Sequence, residues 1–561
     1  MRKIFYCSMV CSMVFSVFIP DSPAQQQYRR LSIDEYKDKM KAGWIGQMVG
    51  VGWGGPTEFK WKSEIIPEDQ IPQWKPEMVN QFGQDDIYVE MTFLRSLELY
   101  GLDVSIRQAG IDFANSGYPL WHANRAGRDN LRAGIAPPDS GHPQFNQHAD
   151  DIDYQIEADF AGLIAPGLPN TVIQLGEVFG RLMNYGDGLY GGQFVGGMYA
   201  EAFFETDPLK IIEAGLQCIP AESQYAEAIR DVMQWYKDEP NDWQVTWEKI
   251  NQKYQLNPDY RRFSCNDPKE TFNIDAKING AYIVMGLLYG KGDFDQTIVI
   301  STRCGQDSDC NPSNAGGVLF TTVGFSKLPE RFTSALDEQK YFSHTAYNFD
   351  KLITVSETLV RQAVEKAGGR IEKNADGVEE FVIPVIEPKP GKLEQCWEAG
   401  PIANSRFTDE EMAKISSGKE LNADVDRFIK GWKIKQCGQD MDPGLREEFD
   451  GRKFVLITHP LDQERACILY KTMEIPAEKK TNLLMTVGHH PQGDWTLIVK
   501  ANGKEIMKKS VGAKTAKDGW MEVKVDLSKF AGTTINLELL NQASGWAYEA
   551  GYWDEIHLQS E

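Results

Sequence analysis

The chain has 561 residues, 42% of them hydrophobic and 25% charged, which is enough for more than one domain with its own core. Acidic residues outnumber basic ones by 81 to 59, so the formal net charge is −22. A surface this negative argues against nucleic acid and anionic membranes as partners, and it favours neutral or weakly acidic ligands.

The first 24 residues have the pattern of a secretory signal peptide. Arg2 and Lys3 precede an apolar run from Ile4 to Ile19, and a small-residue cleavage site ends at Ala24. We therefore expect export to the periplasm or the cell exterior. No later run approaches the roughly 20 apolar residues that cross a bilayer, so we expect no membrane span.

Helical periodicity dominates residues 31–367. Ser32 and Glu35 form a Ser-x-x-Glu capping box, which predicts a helix start. A second helix is predicted to end at Gly101 and a third at Gly290. The apolar stripes of these three helices, which we assign to core packing, are Ile33, Tyr36, Met40 and Trp44; Ile87, Met91, Leu94 and Leu97; and Ile278, Tyr282, Met285 and Leu288.

Two early blocks combine glycine with acidic side chains. Residues 43–59 form a glycine-rich helix that runs into a loop ending in Glu58. Asp85 and Asp86 follow a Gly-Gln step and open a helical pattern. Acidic residues at a helix start commonly act as simple caps, so a cap and a metal site are both open interpretations of this pair.

A late block repeats the acidic pair. Asp307 and Asp309 stand two residues apart immediately before a helical pattern. In an extended run such residues point the same way and can converge on one cation. The pattern also resembles the start of an EF-hand, but Pro312 and Val318 stand where that loop needs Gly and Glu. The block therefore predicts a different cation site or a cap.

An acidic and aromatic segment lies between these blocks, at residues 146–160. Either it is a solvated helix start, or Asp151 or Asp153 faces a cleft. In the second interpretation one of them binds sugar hydroxyls or transfers a proton, and Tyr154 offers an apolar face. Both interpretations remain open.

A glycine-rich stretch at residues 185–192 carries Asp187 and Tyr190. It predicts either a loop that faces the substrate or a plain turn between helices. The residues alone do not decide between the two.

The residue pattern of the chain changes near residue 368. Prolines in a short-strand context mark 368–427 as a linker or boundary. Residues 428–561 then alternate with period two and contain an Asn502-Gly503 turn, which predicts a β-sandwich or jelly roll as an accessory domain. The aromatic residues near its strand ends, which either stack on a sugar or fill the sandwich, are Trp495, Trp546, Tyr548 and Trp553.

In order, the glycine-rich block and the two acidic blocks resemble the ADP-ribosylglycohydrolase superfamily, including the dinitrogenase reductase-activating glycohydrolases and the crystallin J1 relatives. That family carries Gly-Asp-x-x-Gly-x-x-x-Glu, then Thr-Asp-Asp, then Gly-Gly-Asp-Thr-Asp-Thr. The matching segments are 50–58, 84–86 and 305–310. The resemblance covers roughly residues 31–365. It implies an all-α catalytic domain at 31–367, and with the β-sandwich predicted above this makes the chain multidomain.

The resemblance also implies a metal-dependent site with one or two Mg²⁺ or Mn²⁺ ions. Hard oxygen ligands suit these ions, which can orient sugar hydroxyls and activate a water. Glu58 and Asp151 are the predicted proton-transfer residues. The predicted metal ligands are Gln84, Asp85, Asp86, Asp307 and Asp309, and the predicted substrate-binding residues are Asp153, Tyr154, Asp187 and Tyr190.

Three of the departures from the family pattern bear on the metal and the substrate. Val51 replaces the loop Asp, Gln84 replaces the Thr of the second block, and Cys310 replaces the last Thr of the third. A thiol is a poor magnesium ligand, so one ion or a weaker pair is expected. The family's Gly-Asn-Gly-Ala-Ala-Met-Arg segment is also missing between the acidic blocks, which predicts a pocket for a different ligand.

These observations predict an exported, metal-dependent glycoside hydrolase that cleaves an O- or N-glycosidic bond in a glycan or glycoside. One alternative is hydrolysis of ADP-ribose from protein or small molecules, for which no obvious Arg cluster supplies a diphosphate pocket. Another is a catalytically silent glycan-binding protein. The four retained aspartates count against that alternative, because buried unpaired carboxylates are costly. The oligomeric state is not indicated.

Overall fold

The computed structural model describes residues 26–560, except 268, 270–272, 416–418, 439–440, 442, 462, 478 and 546–547. The predicted signal peptide and Trp546 lie outside the described residues. Among the helices of the described part, none is both long and apolar enough to span a bilayer.

Helices make up most of residues 33–366, as the periodicity predicted. Two short helices outside this part, α16 at Asp409–Met412 and α17 at Lys419–Phe428, precede the sandwich. The helices of the first part are α1 Ile33–Gly54, α2 Asp85–Tyr100, α3 Ile106–Ala114, α4 His122–Arg132, α5 Asp153–Ile156, α6 Asp159–Leu163, α7 Pro169–Phe179, α8 Asp187–Ala202, α9 Pro208–Leu216, α10 Gln224–Asp238, α11 Trp243–Ile250, α12 Ala276–Gly290, α13 Phe294–Arg303, α14 Cys310–Val323 and α15 Phe349–Lys366.

The predicted helix ends are confirmed where local chemistry sets them. The Ser32 hydroxyl accepts a hydrogen bond from the Glu35 backbone N–H at 3.1 Å, which caps α1. Gly101 ends α2 with a φ of 75°, a conformation that glycine adopts without strain. The side chains of all three predicted stripes are buried in one core that the helices share.

Helices α1 and α14 lie against each other at the centre of this core. Gly50 has no space for a side chain, because a Cβ there would lie 2.2 Å from the Pro312 carbonyl oxygen. At Gly54 it would lie 2.1 Å from the Ser308 carbonyl oxygen. Glycine at both positions therefore allows the two backbones to touch. This contact brings the loop after α1 next to the turn before α14.

A small antiparallel sheet joins both ends of the helical part. Strand β1, Tyr28–Ser32, pairs with β3, Glu379–Pro384, which pairs with β2, Arg370–Lys373. The strands β2 and β3 belong to the stretch predicted as a linker, so this part of the stretch is packed on the helical core. The domain boundaries at 367 and 428 themselves stay predictions.

The C-terminal part is a β-sandwich of two five-stranded antiparallel sheets, with orders β10-β9-β12-β7-β4 and β11-β8-β13-β6-β5. Asn502 and Gly503 both have positive φ and connect β9 to β10, as predicted. The fold class is thus confirmed. The strands are β4 Lys433–Lys435, β5 Gly444–Phe449, β6 Arg452–Thr458, β7 Cys467–Glu474, β8 Thr481–His489, β9 Trp495–Ala501, β10 Lys504–Val511, β11 Trp520–Asp526, β12 Thr534–Ala543 and β13 Gly551–Ser560.

The structure shows which of the aromatic residues near the strand ends fill the sandwich. Trp495 and Trp553 are fully buried, with ring centroids 5.3 Å apart, so they fill the sandwich. Tyr548 is 44% exposed and stacks on His490 at 4.7 Å. Of these three aromatic side chains, only Tyr548 presents its ring to solvent.

Candidate metal and active site

The turn before α14 has a geometry that the sequence pattern did not predict. Gly305 and Gln306 have φ values of 81° and 58°, so the chain turns sharply instead of extending. Asp309 has helical backbone angles, with φ −108° and ψ −40°, so the predicted extended run from Asp307 to Asp309 is wrong. Asp309 occupies the N-cap position, but its side chain makes no capping hydrogen bond. Asp309 is therefore not a simple helix cap. Asp307 and Asp309 still converge, as predicted.

Two overlapping groups of ligand atoms form one cluster at this turn. One ligand atom from each of Glu58, Asp307 and Asp309 lies within 4.8 Å of the others. The same holds for Asp86, Asp309 and Cys310. The Cys310 thiol is 3.4 Å from Asp86 Oδ2 and 3.8 Å from Asp309 Oδ1. Asp309 is therefore shared between the two groups.

Packing of α1 against α14 places Glu58 in this cluster. The Thr57 and Ser308 hydroxyls are 2.8 Å apart, and the Phe59 N–H donates to the Gln306 carbonyl oxygen at 3.3 Å. These bonds join the loop after α1 to the turn before α14. Glu58 is exposed while the aspartates beside it are buried, so it lies on the solvent side of the cluster.

Burial and mutual repulsion hold protons on these carboxyl groups. Burial raises the pKa of Asp307 to about 8, with the charge of Asp86 contributing. Partial enclosure and the charges of Asp309 and Asp85 raise the pKa of Glu58 to about 8. Burial also raises the pKa values of Asp86 and Asp309 well above the usual range. A bound cation would relieve this repulsion.

The carboxylate cluster fits a divalent cation on two grounds. Asp86 Oδ1 and Asp307 Oδ1 are buried and accept no hydrogen bond from any residue in the described part of the chain. Such orphaned carboxylate oxygens are costly unless a cation or a proton pairs with them. The remaining donors are carboxylate oxygens, which suit hard divalent ions, plus the one thiol.

The second acidic block stands at the start of α2. Asp85 is its first residue and is partly exposed, whereas Asp86 is fully buried. Gln84 is the N-cap residue and is partly exposed, and its side chain does not cap the helix. Burial raises the pKa of Asp85. Its charge in turn raises the pKa values of Glu58 and Asp86, which places Asp85 beside the cluster.

An aromatic wall adjoins Asp85. Tyr88, one helical turn further along α2, has its ring 4.8 Å from Tyr118 and 5.3 Å from the exposed His344 ring. The Tyr88 hydroxyl donates to the Pro119 carbonyl oxygen at 2.9 Å. Aromatic faces are common platforms for sugar rings and bases. Tyr88 follows Asp85 by three residues, so the helical spacing in the sequence already indicated that the two side chains lie on the same face of α2.

Asp151 lies in a different group from the carboxylate cluster. Its Oδ2 is 2.7 Å from His148 Nδ1, and one ligand atom from each of Asp151, His148 and His122 lies within 4.8 Å of the others. Burial raises the pKa of Asp151 well above its usual range. Burial also lowers the pKa of His122 to about 4 and lowers the pKa of His148.

The predicted substrate-binding residues are all buried in the helical part. Asp153 accepts hydrogen bonds from the Ala123 and Asn124 backbone N–H groups at 3.2 and 2.8 Å, which fixes the start of α4. Asp187 Oδ1 accepts from the Tyr225 N–H at 3.3 Å. Tyr154 is fully buried in the core, and the Tyr190 hydroxyl donates to the Lys392 carbonyl oxygen at 3.0 Å. The substrate-binding roles of all four residues stay predictions.

The family assignment agrees with this geometry. The ADP-ribosylglycohydrolase family profile matches residues 32–367, which is more than half of the chain. The chain belongs to the ADP-ribosylglycohydrolase family. It is therefore a hydrolase of glycosidic bonds, from a family that generally depends on divalent metal ions, and the carboxylate cluster is where this family member would hold them.

Several solved structures are similar to parts of this chain. An ADP-ribosylglycohydrolase-related protein complex is 15% identical, with a TM-score of 0.39, and the match covers 59% of this chain and 99% of that one. A xylan-binding domain from Paenibacillus barcinonensis is 14% identical over 24% of this chain and 86% of that one, with a TM-score of 0.19. A family 35 carbohydrate binding module from Clostridium thermocellum is 12% identical over 23% and 92%, with a TM-score of 0.18. No curated protein matches this chain.

The sequence reasoning missed two histidines that the structure brings together. His148 lies three residues before Asp151, a spacing that allows contact within one turn and was the available signal. His122 lies 26 residues before His148 in the chain. Nothing in that separation indicated that their rings would lie edge to face at 5.4 Å.

Proposed function

We propose that this member of the ADP-ribosylglycohydrolase family is an exported glycoside hydrolase that uses Mg²⁺ or Mn²⁺ to cleave an O- or N-glycosidic bond in a glycan or glycoside. The observation that carries the proposal is the convergence of Glu58, Asp86, Asp307 and Asp309, with buried oxygens of Asp86 and Asp307 left without hydrogen bonds from the described residues. Export rests on the N-terminal sequence pattern alone.

In this proposal the metal ligands are Asp86, Asp307 and Asp309, with Asp85 and Gln84 at the solvent side. The bound ion supplies charge that orients the sugar hydroxyls and acidifies a water. Glu58 transfers the proton at the anomeric centre, because it is the exposed carboxyl of the cluster and lies on its solvent side. Thr57 and Ser308 hold its loop in place.

The charge around the site supports a neutral sugar over a diphosphate-containing ligand. Behind the cluster lie the buried carboxyl groups of Glu90, Glu157 and Asp159, whose pKa values burial raises. They give a diphosphate no positive charge to bind, so such a ligand would depend on bound ions. The exposed His344 ring, which packs on the buried Tyr88 ring one helical turn after Asp85, offers a stacking surface that a neutral sugar or aglycone can use.

The decisive experiment measures sugar release from a panel of glycans, glycosides, nucleosides and ADP-ribosylated substrates. Each reaction is run with Mg²⁺ or Mn²⁺ and again with EDTA. We expect release of a neutral sugar that EDTA abolishes. Release of ADP-ribose alone would favour the alternative hydrolase, and glycan binding without release from any substrate would favour a silent binding protein.

Two substitutions separate metal binding from proton transfer. Asp309→Asn should abolish Mn²⁺ binding and turnover while the fold is retained, because Asp309 belongs to both ligand groups. Glu58→Gln should keep Mn²⁺ binding and lower kcat by roughly 100-fold or more. Asp69→Asn, at an exposed position away from the cluster, is the matched control. Full activity of Asp309→Asn would refute the metal assignment.

A further inference from the structure

Histidine and carboxylate ligands converge at a second place in the helical part. His122 begins α4, and His148 and Asp151 lie in the segment before α5. One ligand atom from each of the three lies within 4.8 Å of the others. None of the three residues belongs to the carboxylate cluster. We propose that His122, His148 and Asp151 form a separate cation site that takes a divalent transition metal ion of the Zn²⁺ class.

The donor set decides the class of metal. Two imidazole nitrogens and one carboxylate oxygen suit Zn²⁺ and its first-row neighbours, whereas Mg²⁺ prefers oxygen ligands alone. Three donors held at about 2.1 Å from one ion lie about 3.4 Å apart. His148 Nδ1 and Asp151 Oδ2, now 2.7 Å apart, would open slightly as the ion displaces the proton they share, and that proton leaves to solvent.

Hydrogen bonds tie together the chain segments that carry the three ligands. Asn146 Nδ2 donates to the Ala123 carbonyl oxygen at 3.0 Å, and Asn146 Oδ1 accepts from the His148 N–H at 3.0 Å. Asn146 therefore joins the histidine segment directly to the start of α4. Asp153 accepts two backbone N–H groups from that same helix start. Such outer partners commonly orient the ligands of a metal site.

The Asp151 carboxylate is also held in one orientation. Its Oδ1 accepts a hydrogen bond from the Ser264 hydroxyl at 2.5 Å, which leaves Oδ2 towards His148. The Cys265 thiol lies 4.0 Å from Oδ1 and provides a further soft donor close to the site. Asp151 is fully buried, and Asp150 beside it is 4% exposed. A divalent cation would neutralise this local excess of negative charge.

The backbone of His122 supports a functional role for its position. Its φ of 40° lies in the left-handed region, which a non-glycine residue rarely adopts at a helix start. Strained conformations of this kind persist where the surrounding structure holds them, and they concentrate at functional sites. Here the strained residue is the one that turns its ring towards His148, at 5.4 Å between centroids.

The test uses Co²⁺ as a visible probe for a Zn²⁺ site. The full chain, prepared without a polyhistidine tag, is stripped with a chelator and titrated with Co²⁺ in excess Mg²⁺. We expect one Co²⁺ with the d–d absorption of nitrogen and oxygen ligation, which Zn²⁺ displaces and Mg²⁺ does not. His148→Ala and His122→Ala should each weaken this binding by roughly tenfold or more.

Two matched variants assign the ion to its site. Asp309→Asn should retain the Co²⁺ spectrum, because Asp309 belongs to the carboxylate cluster, and His344→Ala should retain it as a control for loss of a histidine. The proposal is overturned if the parent protein shows no such spectrum, or if Asp309→Asn loses it. It is also overturned if His148→Ala lowers activity while Co²⁺ binding is unchanged, since His148 and Asp151 would then act as a proton-transfer pair.

The cation site can be tested even if a histidine variant fails to fold. Circular dichroism of each variant checks the fold, and anomalous diffraction from Co²⁺-soaked crystals of the parent protein locates the ion without any substitution. Density between His122, His148 and Asp151 would support the site. Density confined to the carboxylate cluster would refute it.

Discussion

At the scale of single residues, Cys310 is the departure with the clearest chemical consequence. Its thiol contacts both Asp86 and Asp309, where the family pattern has a threonine hydroxyl. A hard ion such as Mg²⁺ gains little from sulfur, whereas Mn²⁺ and softer ions tolerate it better. The chain has therefore exchanged a hard donor for a soft one inside an otherwise all-oxygen cluster.

This exchange predicts the metal preference of the protein. Cys310→Thr should strengthen Mg²⁺ binding by roughly tenfold, or about 1.4 kcal/mol, because it restores an oxygen donor in the cluster. Isothermal titration calorimetry of the stripped protein with Mg²⁺ measures the change without depending on activity. Cys310→Ala, which removes the thiol and adds no donor, is the control. Equal Mg²⁺ affinity for the parent, Thr and Ala variants would contradict a ligand position at residue 310.

At the scale of elements, the contact between α1 and α14 assembles the carboxylate cluster. The two helices are separated by more than 250 residues in the chain, and glycines at their contact let the backbones meet. The loop with Glu58 is the direct continuation of α1, and Asp307 and Asp309 immediately precede α14. Any change that separates the helices therefore separates Glu58 from Asp307 and Asp309.

A pair of glycine substitutions tests this dependence. Gly50→Ala should destabilise the fold by about 1–3 kcal/mol and lower turnover, because its Cβ would lie 2.2 Å from the Pro312 carbonyl oxygen. Gly55→Ala is the matched control, since no heavy atom lies within 4 Å of its Cβ position and its φ is −48°. Denaturant unfolding and sugar release measure both effects. Normal stability and turnover in Gly50→Ala would show that the contact tolerates separation.

At the scale of the whole molecule, the helical core encloses an unusual number of carboxyl groups. Asp159 is held by the Tyr199 hydroxyl and the Asn314 amide, each at 2.7 Å, and Asp187 by the Tyr225 N–H. Burial nonetheless raises the pKa of each to about 7. The folded protein therefore retains protons that the unfolded chain releases near pH 4.

This difference sets the direction of the pH dependence of stability. Between about pH 4 and pH 7 the folded state binds more protons than the unfolded state, so the free energy of unfolding falls as the pH rises. The midpoint of thermal unfolding, measured in a chelator, should fall between pH 5 and pH 8, with a contribution on the order of a few kcal/mol from each group. A midpoint that rises over this range would contradict the prediction.

Asp187→Asn isolates one contributor. The asparagine keeps an acceptor for the Tyr225 N–H and carries no charge, so the fall in midpoint between pH 5 and pH 8 should be smaller than in the parent protein. Asp69→Asn, at an exposed position, should leave the pH dependence unchanged. An unchanged slope in Asp187→Asn would mean that Asp187 is not the group that titrates.

Much of the fold was predictable from the sequence because it depends on local patterns. Period-3.6 stripes and the Ser32 cap predicted α1 and α2, and period-two alternation with the Asn502-Gly503 turn predicted the sandwich. These signals act between residues near in the chain. The linker interpretation of 368–427 did not anticipate the pairing of β3 with β1, because that pairing joins residues some 350 positions apart.

For the candidate site too, the sequence indicated the residue types, whereas the tertiary structure decided which of them meet. The order and chemistry of Glu58, Asp85–Asp86 and Asp307–Asp309 were enough to recognise the family, because those residue types are needed for the chemistry wherever they lie. That they meet, and that His122 joins His148 and Asp151, depended on how α1, α4 and α14 pack. A sequence specifies which ligands a chain carries, but the distance between two ligands far apart in the chain is set by the packing of the helices between them, and so by the tertiary structure.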